Sequence, residues 1–395
     1  MFAARSGRVL ERVKNVSLTP AVFHLPDRVN AVAGPYARNP VVPRGPKLAP
    51  LLGRIQDKMR AALGCDDTHD PVVLTSSGSG AIAAGLGCVL SRDPARDPRI
   101  LVVSNGAYGE RQARYARQMG FATTHYTLDY GQRPDLGEIE RLAEEDDVDA
   151  IGIVHGATST CSLNPVLEVG TLAKKLGKTY LVDGIASLFT EEVDIARAGV
   201  DIMIGSTNKG LHANPDLAFV MVAKPLLERV CEEEIGRIPY LDVGPAWKAQ
   251  RNGSNPYTIN VRALLEVEAA LDALEEEGGV AGRVATYRAR NQLLRDGYRS
   301  LGLEIFQKPG MPLQNIGTAL YLPEGVEFDR LADKLANWDN DSGECYEIYS
   351  AQGPLSQELF RIFNMGHYEL DTYRRFLDAL ESCLVPASDS SAAVV

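Results

Sequence analysis

A lysine and an aspartate in the middle of the sequence stand where two apolar runs end. Asp183 is the last residue of TYLVD, and Lys209 follows DIMIGS in the segment GSTNKG, 26 residues further on. That distance leaves room for one helix and one strand. Ligands of open parallel sheets collect at the carboxyl ends of strands, so the two side chains could face one ligand. Taken alone, Asp183 also fits a helix N-cap and Lys209 a solvated turn.

The two residue types together suit one kind of chemistry. A lysine amine with a lowered pKa and a fixed position can form a covalent adduct with a carbonyl compound. A carboxylate can hold a cationic ring nitrogen. These are the two protein groups that pyridoxal 5'-phosphate (PLP) requires, so the pair indicates a PLP site.

Other candidate residues also follow predicted strands. Gly78, Ser79 and Gly80 form a flexible turn before a helix, and the N–H groups at such a helix start can bind a phosphate; a plain connecting turn fits equally well. Tyr108, in NGAYGER, could stack on a flat ring or pack in the core. Arg361, in FRIFNMG, offers a planar fork for a carboxylate, although a structural ion pair would also use it.

The elements that must position these residues alternate between strand and helix from about residue 71. Short apolar runs separated by helices are typical of a mostly parallel sheet covered on both faces. This predicts an α/β fold. The predicted strands are 71–75, 99–104, 150–155, 179–183, 201–206 and 217–222, and a helix is predicted over 48–63.

Four segments are predicted along the chain. The first 47 residues are rich in proline and form an N-terminal arm, and residues 48–260 form the large cofactor-binding domain. Residues 261–386 hold a long helical pattern, broken at Gly278-Gly279, and a smaller C-terminal α+β domain with strand-like pieces at 318–323 and 358–363. Residues 387–395, ASDSSAAVV, are expected to be a disordered tail.

Composition argues against several classes of function. The 395 residues carry a formal charge of −11 without a Lys/Arg cluster, which disfavours nucleic-acid binding. The six cysteines and six histidines have no metal-ligand spacing, so no metal site and no disulfide framework is expected. Charges run through the first 18 residues, and no apolar run approaches the length of a membrane span. We therefore expect a cytoplasmic protein without a membrane partner.

Five pieces in this order resemble the class V aminotransferase family of fold-type I PLP enzymes. They are NGAYGER (105–111), VHGATSTCSLNP (154–165), LVDGIAS (181–187), GSTNKG (205–210) and FRIFNMG (360–366), within a resemblance that covers roughly residues 40–370.

The resemblance implies a role for each candidate residue. Lys209 carries PLP as a Schiff base, and Asp183 partners its pyridinium. The phosphate lies in the loop of Gly78, Ser79 and Gly80, and Tyr108 stacks over the ring. Thr158 lies beside the phenolic oxygen of PLP. Thr258, in NPYTIN, reaches the cofactor phosphate across a homodimer interface, and Arg361 binds the substrate carboxylate.

The sequence departs from the family pattern at four places. Ala81 replaces a threonine after the phosphate loop, Gly85 replaces a glutamate later in that helix, and Ala157 replaces a glutamate before the Thr-Ser-Thr run. The family's N-terminal glycine–proline segment is replaced by FHLPDRVNAVAGPYARNP.

Three functions are therefore compared. The first is an aminotransferase that moves an amino group between a small amine or amino acid and a 2-oxo acid. The second is a PLP-dependent lyase, a β/γ-replacement enzyme or a carbon–carbon bond-forming (annulation) enzyme of natural-product biosynthesis. The third is a non-catalytic binding protein, which the presence of both Lys209 and Asp183 disfavours.

Overall fold

The computed structural model describes residues 14–233, 236–338 and 342–384. The predicted tail at 387–395 lies outside these ranges. In chain order the strands are β1 (Lys14–Ser17), β2 (His69–Leu74), β3 (Arg99–Ser104), β4 (Ala122–Thr127), β5 (Ala150–Val154), β6 (Gly156–Ala157), β7 (Ser162–Leu163), β8 (Thr179–Asp183), β9 (Ile202–Ser206), β10 (Ala218–Ala223), β11 (Gly317–Tyr321), β12 (Glu344–Glu347), β13 (Tyr349–Ser350) and β14 (Leu359–Phe363).

The α-helices alternate with these strands through most of the chain. They are α1 (Asp27–Asn30), α2 (Ala33–Arg38), α3 (Leu48–Leu63), α4 (Gly78–Gly87), α5 (Ala107–Gln118), α6 (Leu136–Glu145), α7 (Val166–Lys175), α8 (Lys224–Glu233), α9 (Val243–Arg251), α10 (Val261–Glu276), α11 (Gly279–Ser300), α12 (Phe328–Ala336) and α13 (Leu370–Leu384).

The chain divides into two units, and the division falls within α11. The larger unit comprises residues 25–286 and 307–315, and the smaller one comprises 287–306 with the described parts of 1–24 and 316–395. The strand β1, near the start of the described chain, belongs to the smaller unit, where it pairs with β12.

The larger unit is built on a seven-stranded sheet in the order β2-β10-β9-β8-β5-β3-β4. All neighbouring pairs are parallel except those of β10, which runs antiparallel to both β2 and β9. The carboxyl ends of the other six strands therefore meet at one edge of the sheet. This confirms the predicted α/β fold, and it brings Asp183 and the chain that follows Ser206 to the same edge.

Both faces of this sheet are buried, which explains why its strands read as nearly continuous apolar runs. Along each strand, alternate side chains enter two different cores. On one face Val103, Ile153 and Val182 pack with residues of α3, α6, α7 and α10. On the other face Val102 and Ile204 pack with residues of α4, α5, α8 and α9.

Two local features differ from the sequence-based prediction. The segment 184–201, where a helix was expected between β8 and β9, forms turns and no α-helix. The edge strand β4 was not predicted, because its sequence ATTHYT is polar and its residues are only partly buried. The predicted helix break is present: α10 ends at Glu276, and Gly278 and Gly279 have φ of 91° and 70°.

The smaller unit contains the antiparallel sheet β11-β14-β13 and the parallel pair β1–β12. Arg290 of α11 is 9% exposed, and its guanidinium donates to the main-chain oxygens of Asn364, Gly366 and Tyr368. These bonds fix the segment that follows β14, the strand that carries Arg361. No helix in the described ranges is long and apolar enough to cross a membrane.

Candidate active site

Four of the side chains singled out in the sequence line one cleft at the carboxyl edge of the seven-stranded sheet. They are Tyr108, Thr158, Asp183 and Lys209. Asp183 is the last residue of β8, and the other three come from the segments that follow β3, β5 and β9. The rest of the lining is apolar or without side chain: Val154, Gly156, Ile185 and Ala186. A carboxylate, an amine, a hydroxyl and an aromatic ring thus face a common space inside one unit.

Asp183 is a buried carboxylate, only 2% exposed, at the last position of β8. Burial raises the pKa of its carboxyl group to about 6, while a hydrogen bond from the Ile185 amide (3.0 Å) and the charges of Arg111 and Lys209 lower it. The bond to Ile185 closes a turn two residues on, so the capping role and a ligand-binding role are compatible. A cationic group entering the cleft would favour the ionised carboxylate.

Lys209 lies in a loop that the chain ties down on both sides. The single hydrogen of the Thr207 hydroxyl faces two main-chain oxygens, those of Asn214 (2.7 Å from Oγ1) and Leu217 (2.8 Å), which closes the loop between β9 and β10. The His212 amide donates to the Lys209 oxygen (3.1 Å), and buried His212 has a φ of 63°. A non-glycine residue in this left-handed region is strained, and such strain persists only where the surrounding contacts impose it.

A buried arginine from a distant part of the sequence also holds this loop. Arg283 of α11 is 1% exposed, and its Nη1 donates to the Gly210 oxygen at 2.6 Å. Its Nε and Nη2 bind both carboxylate oxygens of Glu277 at 2.7 Å. A side chain at Gly210 would collide with the Leu188 oxygen, because a Cβ there would lie 2.2 Å from it. Arg283 was not predicted as a site residue, because nothing in the sequence distinguishes it from the other charged residues of α11.

The glycine-rich turn after β2 leads into the first turn of α4, which begins at Gly78. Ser77 precedes it in an extended conformation (φ −80°, ψ 170°), and its carbonyl accepts the amides of Gly80 and Ala81. The amides of Gly78 and Ser79 come before these first helical bonds and are thus available to an anion. A Cβ at Gly80 would lie 1.8 Å from the Ser76 Oγ, so a larger residue there would force the Ser76 hydroxyl to move.

Packing accounts for one departure from the family pattern. A Cβ at Gly85 would lie 2.8 Å from Cγ1 of Ile204, so a side chain at this position would require α4 or Ile204 of β9 to shift. Ala81, one turn earlier, is fully buried in the core on the same face.

The amino-terminal part of α5 brings an aromatic ring to the cleft and a cation next to that ring. Tyr108 lines the cleft, and the Cζ of Arg111 lies 5.0 Å from the centroid of its ring. Arg111 Nη1 also donates to the Ser79 Oγ at 3.3 Å. The segment NGAYGER drew attention to Tyr108 alone, so Arg111 is a second residue that sequence analysis missed.

Thr158 is 2% exposed and lies in the hairpin of β6 and β7. The same hairpin carries Ala157, where the family resemblance leads one to expect a glutamate, and Ala157 is also 2% exposed. His155, just before the hairpin, donates its amide to the Asp183 oxygen at 2.9 Å and so ties the ends of β5 and β8 together. Burial lowers the pKa of the His155 imidazole to about 4, so this ring is neutral at pH 7.

The remaining two predicted site residues lie elsewhere. Thr258 lines a separate recess with Tyr240, Asn255 and Tyr257 and is exposed. Arg361 belongs to the smaller unit, at the centre of β14, and is 2% exposed. Its Nε and Nη2 both donate to the main-chain oxygen of Ser350, at 2.9 and 2.6 Å.

The residues of the cleft fit PLP. A buried carboxylate with a raised pKa suits a protonated ring nitrogen, and Lys209 is an amine on a braced loop. The turn at Gly78 and Ser79 offers two amides and a hydroxyl to a phosphate. No group of three or more His, Cys, Asp and Glu residues suited to a metal occurs within residues 14–233, 236–338 and 342–384.

Comparison with known proteins agrees with this geometry. Residues 44–309 match the family model of the class-V aminotransferases. The chain is 32% identical to the 2-aminoethylphosphonate–pyruvate transaminase of Salmonella schwarzengrund over 340 residues, which cover 85% of this chain and 89% of the relative.

Solved structures show the same fold. The alanine–glyoxylate aminotransferase from Nostoc sp. has a TM-score of 0.84 at 20% identity, with 94% of this chain and 95% of that chain covered. An aspartate aminotransferase from Thermus thermophilus has a TM-score of 0.80 at 24% identity, with 94% and 98% covered. The fold is that of the fold-type I aminotransferases, and the chain is an enzyme that belongs to the class-V aminotransferase family.

Proposed function

We propose that this enzyme is a PLP-dependent aminotransferase that exchanges an amino group between a small amine or amino acid and a 2-oxo acid. The observation that carries the proposal is the shared cleft of Asp183 and Lys209, at the ends of adjacent parallel strands. The match to the family over residues 44–309 supports it.

When bound, PLP withdraws electrons from the α carbon of an amine substrate and so makes a proton there acidic. Asp183 would keep the proton on the ring nitrogen, since its buried carboxylate gains a cationic partner in doing so. Lys209 would hold the cofactor covalently, and its Nζ would move the proton at the substrate's α carbon as general base and acid. Tyr108 would cover one face of the ring, with Thr158 beside it.

Arg361 would bind the carboxylate of the 2-oxo acid. We further propose a homodimer in which Thr258 serves the cofactor phosphate of the partner subunit. Its exposed position, in a recess apart from the cleft, agrees with a role towards another chain. The activity named for the Salmonella relative makes 2-aminoethylphosphonate and pyruvate the first substrates to test.

A second candidate is a PLP-dependent lyase, a replacement enzyme or a carbon–carbon bond-forming enzyme. Ala157 favours it, because a buried methyl group stands beside Thr158 where the family has a carboxylate. Loss of one charged group near the reacting atoms changes which proton transfers are fast.

An isotope experiment separates the two candidates. Protein loaded with PLP is mixed with a ¹⁵N-labelled amine and a 2-oxo acid, and Lys209→Ala is the control. We expect ¹⁵N in the amino acid formed from the oxo acid with the native chain alone. Consumption of the amine with a changed carbon skeleton and no transferred ¹⁵N would favour the second candidate. Borohydride reduction and peptide mapping should place the cofactor on Lys209, and a label on another lysine would contradict both.

A further inference from the structure

Arg111 is a cation between two parts of the candidate site. Its Nη1 donates to the Oγ of Ser79, in the first turn of α4, at 3.3 Å. Its Cζ lies 5.0 Å from the ring centroid of Tyr108, in the first turn of α5. The guanidinium therefore bridges the glycine-rich turn and the aromatic side chain of the cleft.

The charge of this guanidinium is not neutralised by a salt bridge. Within the described ranges no carboxylate lies within 4.0 Å of its nitrogens, whereas the guanidinium of Arg96 binds buried Asp149. Arg111 is partly buried, so water solvates it incompletely. Its hydrogen bond goes to a neutral hydroxyl and its other contact is an aromatic ring, and these offset the cost of a partly desolvated charge only in part.

The surroundings of Arg111 add further positive potential. α4 begins at Gly78 and α5 at Ala107, and the amino-terminal end of a helix carries a partial positive charge. An arginine beside such ends is unfavourable unless an anion lies between them. Asp183 is near enough for Arg111 to lower the pKa of its carboxyl group, but it forms no salt bridge with the guanidinium.

We propose that Arg111 is a ligand of the cofactor phosphate, held in place by Ser79 and Tyr108. The inference rests on the proposed function and adds a residue to it. A phosphate beside the amides of the glycine-rich turn would accept from the guanidinium through a charge-assisted hydrogen bond. It would also compensate for Ala81, whose buried methyl group offers the anion no donor.

The role of Arg111 is tested by comparing the binding of two compounds, PLP and pyridoxal. Apo protein is titrated with PLP and with pyridoxal, which lacks the phosphate, and binding is followed by absorbance and intrinsic fluorescence. The variants are Arg111→Gln, Arg111→Lys and a matched control, Arg114→Gln, which removes an exposed arginine from the same helix. Circular dichroism checks that each variant folds.

We expect Arg111→Gln to weaken PLP binding by roughly 10- to 100-fold, the range for a hydrogen bond to a charged group. Pyridoxal binding should change by less than about threefold, Arg111→Lys should be intermediate, and Arg114→Gln should behave as the native chain. Equal PLP affinity in Arg111→Gln and the native chain would overturn the proposal. So would an equal loss for PLP and pyridoxal, which would place Arg111 at the ring and not at the phosphate.

A second measurement uses the native chain and does not depend on a variant's folding. Phenylglyoxal modifies accessible arginines, and peptide mapping reports each site separately. PLP should protect Arg111 and leave Arg114 reactive, and protection by pyridoxal should be weak. Failure of PLP to protect Arg111 in protein that does bind PLP at Lys209 would refute this inference alone. Absence of PLP binding to the native chain would refute the proposed function.

Discussion

We expect Asp183 to destabilise the folded protein when no cofactor is bound, because burial raises the pKa of its carboxyl group. The carboxyl group has a pKa of about 6 in the fold, because burial disfavours its charge, against an ordinary value of 3.8. Between these values the folded chain holds a proton that the unfolded chain has released. Stability must therefore fall as pH rises through this window.

The size of the effect follows from the pKa difference. A difference of roughly 2 pH units corresponds to about 3 kcal/mol of unfolding free energy, reached above pH 7. Asp183→Asn removes the titration but keeps an oxygen that can accept the Ile185 amide. We expect the apo variant to be more stable than the apo native chain by about 3 kcal/mol at pH 7.5 and by only about 1 kcal/mol at pH 4.5.

Urea unfolding of PLP-free protein, followed by tryptophan fluorescence at several pH values, measures this difference. Asp149→Asn is a control of opposite sign. Although burial alone would raise the pKa of the Asp149 carboxyl group, hydrogen bonds from Arg96 and Arg92 hold it at about 2. That control should be less stable than the native chain at neutral pH. If apo Asp183→Asn is no more stable than the native chain at pH 7.5, the carboxylate is not penalised by burial and the reasoning fails.

Three further predictions concern the remaining residues. Arg361→Lys keeps the charge but loses the planar fork of the guanidinium, so kcat/KM for α-carboxylate substrates should fall roughly tenfold to a hundredfold with PLP content unchanged. If the variant and the native chain have the same kinetics in both half-reactions, Arg361 has a structural role only. Arg283→Lys should lower cofactor retention at Lys209, and unchanged retention would show that the loop does not need the brace. Sedimentation should find a dimer, and an active monomer at micromolar concentration would contradict the role of Thr258.

The sequence predicted the strand ends well because the same physical rule governs both the pattern and the site. A strand buried on both faces is nearly all apolar, so the first polar residue after it marks the carboxyl edge of the sheet. Asp183 ends β8 in this way, and the polar segment that carries Lys209 begins at the last residue of β9. Their adjacency then followed from the parallel pairing of the two strands.

Features that depend on contacts distant in sequence could not be predicted in this way. Arg283 acts on a loop 73 residues away, at Gly210, and its helix shows only an ordinary mixture of charges. The turns over 184–201 replace the expected helix, and within them buried Phe189 has a φ of 63° and packs on Phe219. No local propensity favours that conformation, so tertiary packing must impose it.

The structure also separates the departures from the family pattern by their physical cause. Gly85 is a packing position: a Cβ there would lie 2.8 Å from Cγ1 of Ile204, so in this chain a glutamate would force α4 and β9 to shift. Ala157 has no such explanation, because it already carries a Cβ and lies next to Thr158, which lines the cleft. The resemblance implies a carboxylate where this chain has a buried methyl group, and such a difference would change the electrostatics around the cleft, where charges act strongly. We therefore propose Ala157, and not Gly85, as the position to test for an effect on which reaction the enzyme catalyses.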